Sequence, residues 1–171
     1  MATFVGSLSE SQQSTLRREF QTPEPTGWVL ELARQKNWRE ANEAFLQSER
    51  ARGRDEMAHL MKSFDIAGPV APDKAASLVA AALELFLGQS PGRSDVELVD
   101  PWTVKLRVCD CPTYRRLEAS DWRGVTACSS WHRRRGWYDA LGVRAEDSVV
   151  AESKWGDEAC EALIEFPRPD A

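Results

Sequence analysis

The residues of this chain with the most chemistry in them are four cysteines, Cys109, Cys111, Cys128 and Cys160, together with His132 and Glu152. All fall after residue 100. Cys109 and Cys111 stand two apart at the end of a strand-like run, so if the strand persists they share a face. Cys128 and His132 are four apart in a helix-like run, hence neighbours on one side of it, with Trp131 beside them and Tyr138 further along. Cys160 alternates with Ala162, Ile164 and Phe166 and is expected to point into the core. Three kinds of chemistry use such a set. Thiolates and imidazole bind Zn²⁺ in fours, and Cys109, Cys111 and Cys128 with Cys160 or His132 supply that number. A single thiol becomes a nucleophile where positive charge, a histidine or a helix end favours its thiolate, which suits Cys111 near Arg107, Arg115 and Arg116, or Cys128 near His132. Cysteine also packs as a small apolar residue, and for Cys160 that reading leads.

Around the thiols stand groups that could assist. Glu152 lies on a strand beside that of Cys160, where a carboxylate could act as a base or simply face solvent. Arg135, within the run Arg133 to Arg135, could hold a carboxylate, although a solvated face that favours the helix dipole is the leading reading for the run. Five of the seven tryptophans, Trp102, Trp122, Trp131, Trp137 and Trp155, occupy the second half and could wall a pocket or fill a core. His59 reads as a surface histidine.

The elements that must position these residues follow from periodicity. Ser7 or Ser9 caps a helix to about Phe20, and Thr22 to Gly27 interrupts it. Trp28, Val29 and Leu32 begin a short second helix. Trp38, Ala41, Phe45, Met57, Leu60, Met61 and Phe64 recur as on one long amphipathic helix whose charged middle, Glu49 to Glu56, is expected to face solvent. Ala67-Gly68-Pro69 stops it. Pro72-Asp73 starts another helix, through Leu78, Val79, Ala82, Leu83 and Phe86 to Gly88. These helices read as scaffold. Val96 and Leu98, then Val104, Leu106 and Val108, alternate as strands, with Pro112 closing the second. Val125 to Leu141 reads as a helix ended by Gly142, and Ser148 to Ser153 and Ala159 to Phe166 as strands joined by a turn at Trp155-Gly156-Asp157-Glu158. The fold class expected is α+β, with N-terminal helices packed on a small antiparallel sheet carrying an inserted helix. Residues 1–26 form an N-terminal helix and linker, and 27–171 a single domain.

Composition narrows the partners. A chain of 171 residues with 42% hydrophobic content supports one sizeable core. Its net charge of −5 argues against nucleic acid. No apolar run spans a bilayer, and Met1 to Ser11 does not read as a signal peptide, so a cytoplasmic location without membrane partners is expected, with the cysteines as thiols or ligands.

The order Cys111-Pro112, Cys128 in a helix, Glu152, Gly156-Asp157 and Cys160 ahead of Phe166 resembles the bacterial L-2-amino-thiazoline-4-carboxylate hydrolase-like family over residues 28–166. Its closing pattern is also similar to the small-molecule-binding domain of the 4-vinyl reductase family. The resemblance implies a hydrolase acting on a carbon–nitrogen bond of a small cyclic amidine or related metabolite. Cys111 or Cys128 would attack, His132 or Glu152 would move protons, and Trp131, Arg135, Tyr138 and Cys160 would line the substrate. No cofactor is then expected. The competing reading is a cysteine-rich module that binds zinc or a small molecule without catalysis, using Cys109, Cys111, Cys128 and Cys160. The third is an interaction protein whose long helix pairs with a second copy, as a homodimer.

Overall fold

The computed structural model describes residues 7–20, 31, 34, 37–87, 94–109, 111, 128–153 and 156–168. Expectations on Thr22 to Val29, Leu32, Gly88, Pro112, Arg115, Arg116, Trp122, Val125 and Trp155 lie outside the described residues.

Helix starts and stops are written in local chemistry. Helix α1 spans Glu10–Glu19. Ser9 caps it through a reciprocal pair, its hydroxyl accepting from the Gln12 amide at 3.2 Å while Gln12 Oε1 accepts from the Ser9 amide at 2.9 Å. Helix α2 runs Trp38–Ser63, opened by Asn37, whose Oδ1 accepts from the Glu40 amide at 2.9 Å. Helix α3, Pro72–Ala82, begins on a proline and continues as a π-helical turn, Leu83–Leu87. Helix α4 is Ser129–Leu141. It ends where Gly142 turns left-handed at φ 67°, with Val143 N–H donating to Tyr138 O and Gly142 N–H to Asp139 O.

The strands are β1 (Ser94–Asp100), β2 (Thr103–Val108), β3 (Glu146–Ala151) and β4 (Cys160–Glu165). They form one antiparallel sheet in the order β1-β2-β4-β3. The fold is therefore α+β, with α4 placed in sequence between two hairpins. Strand β3 begins two residues earlier than alternation suggests, because Asp147 is held at the sheet's edge by side chains of α4.

The core lies between the sheet and the helices. Val104, Leu106, Ile164 and Phe166 from the sheet pack with Leu60 and Met61 of α2, the alanine- and leucine-rich α3, and Trp137 and Leu141 of α4. Leu8 and Leu16 join that same cluster, so α1 lies on the main core. Alternation in β2 holds as expected, Lys105 being exposed while Val104 and Leu106 are buried. At the far end of the sheet the register sets Val108 opposite Cys160 and Ala151 opposite Glu161. That end carries Cys160, with Cys109 just past the last residue of β2.

Candidate functional site

Helices α2 and α4 cross with their backbones in contact. A Cβ on Gly53 would overlap the Arg133 carbonyl, and one on Gly136 would overlap the Arg50 carbonyl. Only glycine at both positions permits this approach. The crossing then encloses charge that the sequence suggested was solvated.

Glu56 is fully buried, and its carboxylate accepts from Arg133 through two guanidinium nitrogens, from Trp137 Nε1 at 3.0 Å and from Arg52 Nε at 3.2 Å. Glu49, also buried, lies 3.7 Å from Arg52. The expectation that the middle of the long helix faces water is thus corrected for Glu49 and Glu56, while Arg50, Arg54 and Asp55 are exposed as expected. The physical reason is mutual neutralisation: two carboxylates meet two guanidiniums, and the indole adds a hydrogen bond, so charge enters the interior without remaining unpaired. Burial still leaves its mark. It pushes the Glu49 carboxyl above its ordinary value, against the pull of Arg133 and Arg52, and pushes Arg52 below its own.

The solvated reading of Arg133 to Arg135 needs the same correction for two of three residues. Arg134 is buried and grips Asp147 of β3 with two bonds of 2.8 and 2.7 Å, while its Nη1 donates to Ser130 Oγ at 2.9 Å. Tyr138 donates its hydroxyl proton to Asp147 Oδ2 at 3.0 Å. Burial, with Asp147 adding to it and Arg134 opposing, holds that phenol well above its usual range. Tyr138 and Arg134 thereby fasten the helix to the sheet, and the Tyr138 hydroxyl is committed to a carboxylate of the fold. Arg135 alone of the run is exposed.

All four cysteines are thiols. Cys109 and Cys128 are exposed, Cys111 and Cys160 half-buried. Cys160 shares its face with buried Ala162 and Ile164 but sits at the start of β4, where the core thins. It is held there by Ser153, whose amide donates to Sγ at 3.3 Å and whose hydroxyl accepts from the thiol at 3.4 Å. The Glu152 amide donates to Asp157 Oδ2 at 2.8 Å, which shapes the turn before β4. Cys128 is the residue that precedes the first turn of α4, at the positive end of the helix and within electrostatic reach of buried Arg134. Among the described residues no three His, Cys, Asp or Glu side chains gather as a group able to hold a metal ion.

His132 is half-buried on α4, edge-on to Trp131 at 5.1 Å between ring centroids. Burial first, then the charges of Arg135 and Arg50, lower its pKa below the ordinary value, favouring the neutral imidazole. Arg135 stacks its guanidinium over Trp131, 4.0 Å from the ring centroid. Arg50 and Arg54 were not singled out in the sequence, because they lie in α2, far from the cysteines. Their signal was the helical spacing of His132, Arg135 and Asp139, which makes a polar stripe facing α2.

Among the described residues, four helices and four strands define an α+β class with a thiol at a helix start and buried ion networks behind it. No family model matches the chain, and no curated protein matches it. Among solved structures, it is similar to a trafficking protein particle complex subunit 3 from Naegleria fowleri, covalently bound to palmitic acid. The TM-score is 0.54 at 14% identity, over 94% of this chain and 98% of that one. The likeness is one of fold.

Proposed function

We propose that this chain is a small-molecule-binding module whose working group is the Cys128 thiol, which captures an acyl-type ligand and retains it. The observation that carries the reading is the placement of Cys128: exposed, at the amino end of α4, with the Arg134 guanidinium nearby. An exposed sulfur at a helix amino end is open to an incoming electrophile. The similar fold of the trafficking subunit, which holds palmitic acid covalently, supports a scaffold able to seat an acyl chain, though fold by itself does not set function. That protein is a subunit of a complex, and we extend the proposal to assembly with a partner or a second copy. No described helix is long and apolar enough to cross a membrane.

In the capture step the Cys128 thiol gives its proton to water as its sulfur attacks the carbonyl carbon of an activated acyl thioester. A new sulfur–acyl bond forms, the donor's carbon–sulfur bond breaks, and the departing thiolate takes up a proton from water. Incubation with a palmitoyl thioester should add one palmitoyl mass to the Cys128 peptide, removable by hydroxylamine and lost in Cys128→Ser. Modification spread equally over the four cysteines, or none, would overturn the reading.

A second reading, the cysteine-dependent hydrolase of a cyclic amidine, is favoured by the neutral bias of His132 one turn into the helix that Cys128 opens. Under it Cys111 or Cys128 attacks and His132 or Glu152 moves protons. Sustained disappearance of 2-amino-thiazoline-4-carboxylate, abolished by one Cys→Ser change, would establish turnover in place of retention. The zinc alternative predicts about one equivalent of metal per chain in protein purified without added metal, lost on alkylation.

A further inference from the structure

Arg50 and Arg54 of α2 and Arg135 of α4 surround a single carboxylate, Asp139. Arg50 binds it through two bonds, 2.7 and 2.8 Å, and Arg54 approaches to 3.8 Å. Arg135 adds its field to the same carboxylate, which these cations hold below its ordinary pKa. Among the described residues no carboxylate pairs with Arg135, whose guanidinium lies flat on Trp131 instead. Three positive charges against one negative leave an excess of two on one face of a chain whose net charge is −5.

Beside this cluster stands His132, partly withdrawn from water and in the field of Arg135 and Arg50. An acidic protein that concentrates uncompensated guanidiniums next to an indole and an imidazole has the parts of an oxyanion site: fork-shaped donors, an apolar wall, and a polar ring whose charge responds to what is bound. The two helices meet here through Gly53 and Gly136, so the groups from α2 and α4 are held at fixed separation.

We propose that Arg54 and Arg135, with Arg50 and His132 at its border, form a binding site for the phosphate or carboxylate group of a small soluble molecule on the outer face of the α2–α4 crossing. It extends to two helices the carboxylate role expected of Arg135 alone, and stands independently of the Cys128 reading. Asp139 competes with the incoming anion for the same guanidiniums, and holds Arg50 in place until the anion arrives.

The chain carries its own reporter, since its two histidines are His59 and His132. His59 lies elsewhere, 3.5 Å from Glu19 and edge-on to Phe20. The test is a proton NMR titration of both imidazoles in sodium chloride and in inorganic phosphate or sulfate at equal ionic strength. Bound oxyanion should offset the field of Arg135 and Arg50, so the His132 midpoint moves upward by several tenths of a pH unit while His59 stays still. Arg135→Gln and Arg54→Gln should each weaken the oxyanion effect at least threefold, and Asp139→Asn should strengthen it. Equal movement of both histidines, or an unchanged response in Arg135→Gln, overturns the proposal. So does a response to phosphatidic acid vesicles with none to free phosphate or sulfate.

Discussion

Glu56 and Arg133, 77 residues apart, form a buried ion pair at the place where α2 and α4 touch. The pair joins the helical first half of the chain to the helix that carries Cys128 and His132. It is completed by Trp137 Nε1 and Arg52 Nε, so the Glu56 carboxylate is hydrogen-bonded although no water reaches it.

Removing one member of such a pair is costly because the other stays buried and charged. Glu56→Gln should lower stability by about 3–5 kcal/mol. Replacing both partners by apolar residues, as in Glu56→Met with Arg133→Met, should recover much of that loss. Urea denaturation of the single and double variants measures both, and a single variant as stable as wild type would show that the pair contributes nothing.

Gly53 and Gly136 make a second, separable demand on the same crossing. Alanine at either site meets a backbone carbonyl of the partner helix, which has no side-chain freedom with which to yield. Each substitution should cost about 3 kcal/mol or more, at the upper end of ordinary overpacking. Thermal unfolding would register it, and an unchanged midpoint would mean that the helices sit further apart.

Glu49 gives a pH signature of known sign. Its folded pKa is raised above the ordinary 4.5, chiefly by burial. The favourable contribution of its protonated form is therefore complete below about pH 4.5 and is lost as pH rises through the folded value. Compared with Glu49→Gln, wild-type protein should lose relative stability from about pH 4 upward. Parallel stability curves for the two proteins across that range would contradict the assignment.

Tyr138 should refuse to ionise where an exposed phenol does. Its folded pKa lies above the ordinary 10.0, again mainly through burial, so its contribution to stability is present below pH 10 and falls away in stronger alkali. Ultraviolet titration of wild type and Tyr138→Phe should give superimposable phenolate signals up to about pH 10.5. An extra phenolate in the wild type below that point would place the hydroxyl in contact with water.

Much of the fold was legible along the chain because its causes are local. Ser9 with Gln12, Pro72 at a helix start and Gly142 at a helix end act on backbone groups within a few residues, and the alternation of Val104, Lys105 and Leu106 is a property of one strand. The cysteines could be found in the sequence, and so could the one-turn spacing of Cys128 and His132. Whether sulfur atoms from separate elements meet could not, because that depends on sheet register and helix docking.

The same division explains the charged residues. Taken alone, Glu49 to Glu56 and Arg133 to Arg135 read as two solvated runs, since an isolated charge is cheapest in water. Two buried partners of opposite sign neutralise one another only when the chain has folded to bring them together, and no window of sequence contains both Glu56 and Arg133. The amino-acid order therefore determined by itself most helix and strand ends and the apolar faces they turn inward, the start of β3 at Glu146 excepted. Tertiary structure alone decided which charges go inside, which of the arginines stay outside around Asp139, and which thiol stands exposed at a helix start, because each outcome follows from a long-range electrostatic or packing partner.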